Sequence, residues 1–204
     1  MDALIASPVT FCLLAANVIA SLIAFGSPDF REQNNFWIRP MREGNQWHRL
    51  VTSGFLHVDF FHLFINMYVL YGFGPALERV FGPVGYFILY MGSLLGGSAW
   101  MYADKRNVPD YRAVGASGAI SGLMLSVSVL APFATLLFMG VLPMWSIVFG
   151  VGFIIISYIL SHRENAVIAH GGHLGGAIAG LVLTLVLKPD SFSNLLRQIA
   201  ERFG

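Results

Sequence analysis

The chain reads as a succession of long apolar runs separated by short polar intervals. Hydrophobic stretches lie near residues 8–26, 54–74, 84–103, 114–131, 143–160 and 166–187. Each approaches the ~20 residues a helix needs to cross a bilayer core, so the pattern predicts six spans. The longest polar interval, 27–50, reads as a loop, and only a short tail follows Lys188. In that tail Leu195, Leu196, Ile199 and Phe203 recur at helical spacing against Arg197, Glu201 and Arg202, which predicts an amphipathic helix lying on the membrane. The expected architecture is an all-α membrane protein: a six-transmembrane-helix bundle over 1–187 and an amphipathic tail over 188–204. The stretch "APFATLLFMGVLP" between the fourth and fifth spans is apolar enough to hug the membrane.

Composition agrees with lipid as the main solvent. Hydrophobic residues make up 56% of the chain and charged residues 11%, against about 25% charged in a soluble domain. The net charge of +1 gives no reason to expect nucleic acid as a partner. The first run lacks a basic region before it and a small-residue cleavage site after it, so it is expected to stay as a span. Cys12 is the lone cysteine, so no intramolecular disulfide forms. The first loop mixes Phe36, Trp37 and Trp47 with four arginines, a combination suited to the headgroup zone. Arg79, Lys188, Arg197 and Arg202 share the side of the termini. The other side holds Arg31, Arg39, Arg42, Arg49, Lys105, Arg106, Arg112 and Arg163, so the positive-inside rule places the termini outside.

Several strongly polar side chains interrupt the apolar runs, where they are costly and tend to face a partner or a watery cavity. The second span carries His57, His62 and Asn66, the last two four apart and so on one helical face. The fourth carries Ser117 and Ser121 in "GASGAIS", and the sixth carries His170 and His173 in "AHGGHLGGAIAG". Singly, each has an ordinary explanation: a serine bonds back to a carbonyl one turn earlier, and a His–Asn pair ties helices together. Ser98, in "GGSAW", shows how readily small residues cluster here.

Two chemistries use the group together. Histidines 57, 62, 170 and 173 offer imidazoles to zinc, but apart from Asp59 no acid or thiol lies at matching depth and no H-E-x-x-H occurs, so no metal is expected. Nucleophilic catalysis leaves fewer residues unused. A serine hydroxyl needs a base, and an imidazole is the usual one, so Ser117 and His173 form a candidate dyad. The first amides of a helix lack intrahelical partners, so the Ser117 N–H can meet a developing oxyanion, with His62 and Asn66 as further donors. Gly176 and Gly180, three and seven residues after His173, let the sixth span approach the fourth closely. No Asp or Glu is placed in the sequence to orient His173.

These motifs together resemble the rhomboid intramembrane serine proteases, from about Trp47 to Gly180. "GASG", with Gly115, Ser117 and Gly118, resembles the family's G-x-S-G. "HLGGAIAG", with His173, Gly176 and Gly180, resembles its H-x-x-G-x-x-x-G, and "HLFIN" its H-x-x-x-N. Trp47 and Arg49 in "QWHRL" resemble its tryptophan–arginine motif, and "ALERVFG" its Glu after the second helix, here Glu78. The resemblance implies a rhomboid-like bundle and a Ser117–His173 dyad without cofactor or metal, with oxyanion donors at Ser117, His62 and Asn66. It implies an active site sunk below one surface and transmembrane proteins of the lipid bilayer as substrates. It also implies cytoplasmic termini, against the charge count, and so a bacterial inner membrane with the site open to the extracytoplasmic side. Two features depart from the pattern: Ser121 stands where some members stack an aromatic on the catalytic histidine, and His170 is an extra imidazole. The alternative expectation is a non-catalytic rhomboid-like adaptor that binds transmembrane helices.

Overall fold

The computed structural model describes residues 6–138, 141–161 and 170–204. Helix α1 (Pro8–Gly26) leads, with Pro8 at its first position, where no amide partner is lost. The interval expected as a loop is instead folded: α2 (Pro28–Asn34), β1 (Phe36–Trp37), α3 (Ile38–Glu43) and α4 (Arg49–Thr52) precede a 3-10 turn at Ser53–Phe55. Its elements are too short to leave a periodic signal, yet Phe36, Ile38 and Met41 are fully buried as a small core of their own.

Helix α5 (Phe60–Lys105) has 46 residues and carries the second and third apolar runs. It breaks at Gly82, whose φ of 71° suits glycine, just before Pro83. Its start lies six residues after the expected one, because Asp59 caps the helix by accepting from the His62 amide at 2.7 Å. After β2 (Arg112–Ala113), α6 (Ser117–Leu130) starts at Ser117 rather than 114, since Gly115 has a φ of 139° that no helix tolerates. The stretch expected to hug the membrane contains a hairpin, β3 (Thr135–Phe138) paired antiparallel with β4 (Leu142–Trp145). Helices α7 (Ser146–Ser161), α8 (His170–Leu187) and α9 (Ser191–Phe203) complete the chain.

By length and composition α1 and α5 can cross a membrane, and α8 with α9, bent by 98°, passes the same test as a pair. The protein is an all-α membrane protein; among the described residues its strands form only two short ribbons. Large apolar side chains such as Phe61, Phe64 and Val84 point outward, as lipid requires. The centre is α6, buried on every side from Ala119 to Ser126, between α5 and α8. At 14 residues it rises about 21 Å, short of a ~30 Å hydrocarbon core, so the helix by itself leaves part of that thickness to the flanking chain.

Candidate active site

The loop before α6 is held from two sides. Strand β2 pairs antiparallel with β1, matching Phe36 to Ala113 and Trp37 to Arg112, and the Arg112 guanidinium lies 3.6 Å from the Trp37 ring centroid. The Gly115 amide then donates to the Ser53 carbonyl at 3.0 Å. These constraints deliver Ser117 to the first position of α6.

Its hydroxyl meets His173 of α8, with Oγ and Nε2 2.8 Å apart. The contact joins residues 56 apart in the chain, and the glycines explain how. A Cβ on Gly176 would collide with the Gly118 backbone, and one on Gly180 with that of Gly122, so α6 and α8 touch backbone to backbone along this face. Gly118 is thus the surface against which His173's own helix is seated.

The first hydrogen bond of α6 runs from the Ile120 amide to the Ala116 carbonyl, and no side chain caps the turn. The amides of Ser117, Gly118 and Ala119 therefore have no intrahelical acceptor and form the positive end of the helix dipole. His62 lies alongside: a Cβ on Gly115 would sit 2.8 Å from His62 Cε1 and 3.5 Å from Ser117 Oγ. One turn further along α5, Asn66 is buried, and among the described residues its Nδ2 meets no hydrogen-bond acceptor. A pocket of about 350 Å³, including space continuous with solvent, reaches Ser117 past Ser53, Met101, Val114 and Gly172.

The other polar positions have structural partners. Ser121 donates back to the Ser117 carbonyl at 2.6 Å, and Ser98 donates to the Leu50 carbonyl at 2.8 Å. Ser21 donates to the Phe55 carbonyl and so accepts from His57 Nδ1 at 2.8 Å. The His57 ring stands edge-on to His62, with centroids 5.0 Å apart. Among the described residues no group of three His, Cys, Asp or Glu side chains could hold a metal ion. The side chain of His170 lies outside the described residues.

Of the remaining motif residues, Trp47 stands half-exposed, edge-on to Tyr102. Arg49 is buried and donates to the Glu32 and Asn35 carbonyls, Asn35 Oδ1 and Gln46 Oε1, tying the first-loop helices into one body. Glu78 accepts from the amides of Val9 and Thr10 and from the Thr10 hydroxyl, so it caps α1 from a distant helix. Sequence reasoning assigned Glu78 no task, because a cap supplied from 68 residues away has no local signature. It also missed Phe153 of α7, whose ring stacks on His173 with centroids 5.8 Å apart. The only hint was Phe149 and Phe153 four apart on one helical face.

A family model described as "Rhomboid domain" matches residues 44–190. RHOMBOID-like protein 12, mitochondrial, of Arabidopsis thaliana is 35% identical over 176 residues, covering 78% of this chain and 52% of that protein. Rhomboid protease GluP of Bacillus subtilis is 28% identical over 182 residues, covering 86% of this chain and 32% of its own length. Inactive RHOMBOID-like protein 8 of Arabidopsis thaliana is 34% identical over 88 residues, covering 43% of this chain and 25% of that protein. The chain thus spans about half or less of the length of these relatives.

Proposed function

The chain belongs to the rhomboid family of membrane proteins, and on that premise we propose that it is an intramembrane serine protease acting through a Ser117–His173 dyad. The observation that carries this reading is the 2.8 Å approach of Ser117 Oγ to His173 Nε2 across two helices that glycine contacts press together.

In the proposed reaction Ser117 Oγ attacks the carbonyl carbon of the scissile peptide while His173 Nε2 takes its proton. The oxyanion accepts hydrogen bonds from the Ser117 amide, at the uncapped start of α6, and from His62 and Asn66. The Nδ2 of Asn66 supports that role, since it is buried and meets no acceptor among the described residues, leaving it able to donate where charge develops beside it. His173 then gives the proton to the leaving nitrogen as the C–N bond breaks. Water, deprotonated by the same imidazole, releases the acyl group, and the proton returns to Ser117. No cofactor enters the scheme.

The proposed substrates are transmembrane segments of other proteins in the lipid bilayer. Six spans are proposed: α1, the two arms of α5 on either side of Gly82, α6, α7 and α8. They form a membrane domain over 1–187, with 188–204 as an amphipathic tail. The short α6 then holds Ser117 below one surface. The proposed site opens to the extracytoplasmic side of a bacterial inner membrane, although two relatives carry the word mitochondrial in their names. A membrane-impermeant serine reagent labelling Ser117 only from outside intact cells tests the orientation.

The test of the activity is cleavage of a single-span substrate by purified protein in detergent, wild type beside Ser117→Ala and His173→Ala. Both substitutions should abolish cleavage and His170→Ala should retain it; cleavage surviving Ser117→Ala would overturn the reading. The match to an inactive relative favours one alternative, a non-catalytic adaptor that holds transmembrane helices in the same groove. A fluorophosphonate probe separates the two, because it labels Ser117 only where His173 activates it.

A further inference from the structure

His173 Nε2 lies 2.8 Å from Ser117 Oγ, and proton transfer along that line depends on the plane of the ring. An imidazole that takes a proton from serine and hands it to a leaving nitrogen has to keep that plane through both transfers. The helix carrying the nucleophile offers the ring little side-chain surface at the next turn, since Ser121 is small and its hydroxyl is bonded to the Ser117 carbonyl. An aromatic face comes from a third helix. The Phe153 ring of α7 lies 5.8 Å from the His173 ring, centroid to centroid, at an interplanar angle of 29°. This is the offset arrangement that aromatic pairs prefer. Phe149, one turn earlier, backs Phe153 in turn, at 6.3 Å and 22°.

The column has a fixed register against the dyad. At its start α7 is pinned to α6: Ser128 of α6 donates to the Ser146 carbonyl at 2.7 Å, and Ser146 donates to the Ala131 carbonyl. One turn along, Gly150 packs directly on the Ser128 side chain. Phe153 lies just beyond, so the helix that carries it is referenced to the same helix that carries Ser117.

We propose that Phe153 is a positioning residue of the base, helping to hold the His173 imidazole in plane for transfer from Ser117 and stabilising the imidazolium against an aromatic face. The inference rests on the protease reading of the dyad. Stacked cation–aromatic contacts contribute on the order of 0.5–2 kcal/mol, so losing the ring should lower the rate roughly 3- to 30-fold, with substrate binding intact.

The test uses the full chain in detergent with the single-span substrate, kcat and KM measured separately, and the rate of fluorophosphonate labelling at Ser117. Phe153→Leu keeps apolar bulk and should lower kcat and labelling together, leaving KM within twofold. Phe153→Tyr restores a ring and should recover both. Phe149→Leu removes a ring that does not face His173 and should change kcat far less. Equal losses in Phe149→Leu and Phe153→Leu, tracking thermal stability, would reduce the contact to helix packing and overturn the proposal. So would wild-type labelling by Phe153→Leu. If wild type itself fails to label at Ser117, the protease reading falls and takes this one with it. Histidine-selective NMR gives a readout independent of activity and of any Phe153 variant. The His173 ring resonance, assigned by its loss in His173→Gln, should be displaced upfield by the neighbouring aromatic face, and an undisplaced resonance overturns the proposal.

Discussion

Adding one methyl group at Gly176 tests whether the dyad depends on backbone contact between α6 and α8. A Cβ there would stand 2.7 Å from the Gly118 carbonyl carbon and 2.8 Å from Gly118 Cα, with the carbonyl oxygen closer still. Ordinary contact begins at 3.4 Å, and none of these atoms is the yielding end of a side chain. Clearing the Cα alone takes 3.4 − 2.8, or about 0.6 Å, and the oxygen demands more, so the helices part by about 1 Å. The Ser117–His173 bond, 2.8 Å long, then stretches past hydrogen-bond reach. A displacement near 1 Å at a catalytic group costs about 100-fold in rate, and overpacking costs about 1–3 kcal/mol of stability. Gly176→Ala should therefore lower kcat on the single-span substrate about 100-fold and slow fluorophosphonate labelling in parallel. Gly72→Ala is the matched control, because a Cβ there meets nothing within 4 Å, and it should leave both rates unchanged. Wild-type kcat in Gly176→Ala would refute the view that helix approach sets the dyad distance.

Three further outcomes follow from contacts elsewhere in the bundle. Glu78→Gln removes an acceptor from the Val9, Thr10 and Thr10-hydroxyl cluster; it should cost about 2 kcal/mol and lower the unfolding midpoint by roughly 4–8 °C, while an unchanged midpoint would deny the cap any energetic weight. Asn66→Ala breaks no hydrogen bond of Nδ2 to a described residue, so it should lower kcat about 100-fold at nearly unchanged thermal stability; a stability loss with full activity would make Asn66 a packing residue. Prolonged chelation should leave cleavage intact, and inactivation reversed by zinc would revive the metal reading of the histidines.

The legible parts of this protein were those written as local periodicity or as motif. The apolar runs marked where helices lie, and Ser117 and His173 stood out as polar residues in lipid-like sequence, while the glycines after His173 announced a close helix contact. Element ends were legible only where a side chain punctuates them: Asp59 delays α5 to Phe60, and Gly115 delays α6 to Ser117, both by conformational effects that hydropathy averages away. The interval 27–50 hid its structure because Phe36, Ile38 and Met41 form a core too small to leave a pattern. Contacts made by one residue across the bundle were the least legible, since neither partner's position is fixed by its own neighbours. Glu78 capping α1 and Phe153 covering His173 join helices whose adjacency had first to be seen.

The clasp at Glu78 has a consequence for the order in which the molecule is made. Val9 and Thr10 are bonded to a residue 68 to 69 positions later, and Ser21 near the other end of α1 meets Phe55 and His57. Helix α1 and the first arm of α5 thus form an antiparallel hairpin whose polar groups satisfy one another at both ends, using only residues up to Glu78. This early segment does not contain the proposed nucleophile. Ser117 follows, and His173 comes 56 residues later still, a lag of roughly 3–11 s at ordinary translation rates. A nascent chain in the membrane thus receives the proposed nucleophile before the proposed base, so the proposed proteolytic activity cannot arise until His173 has been made.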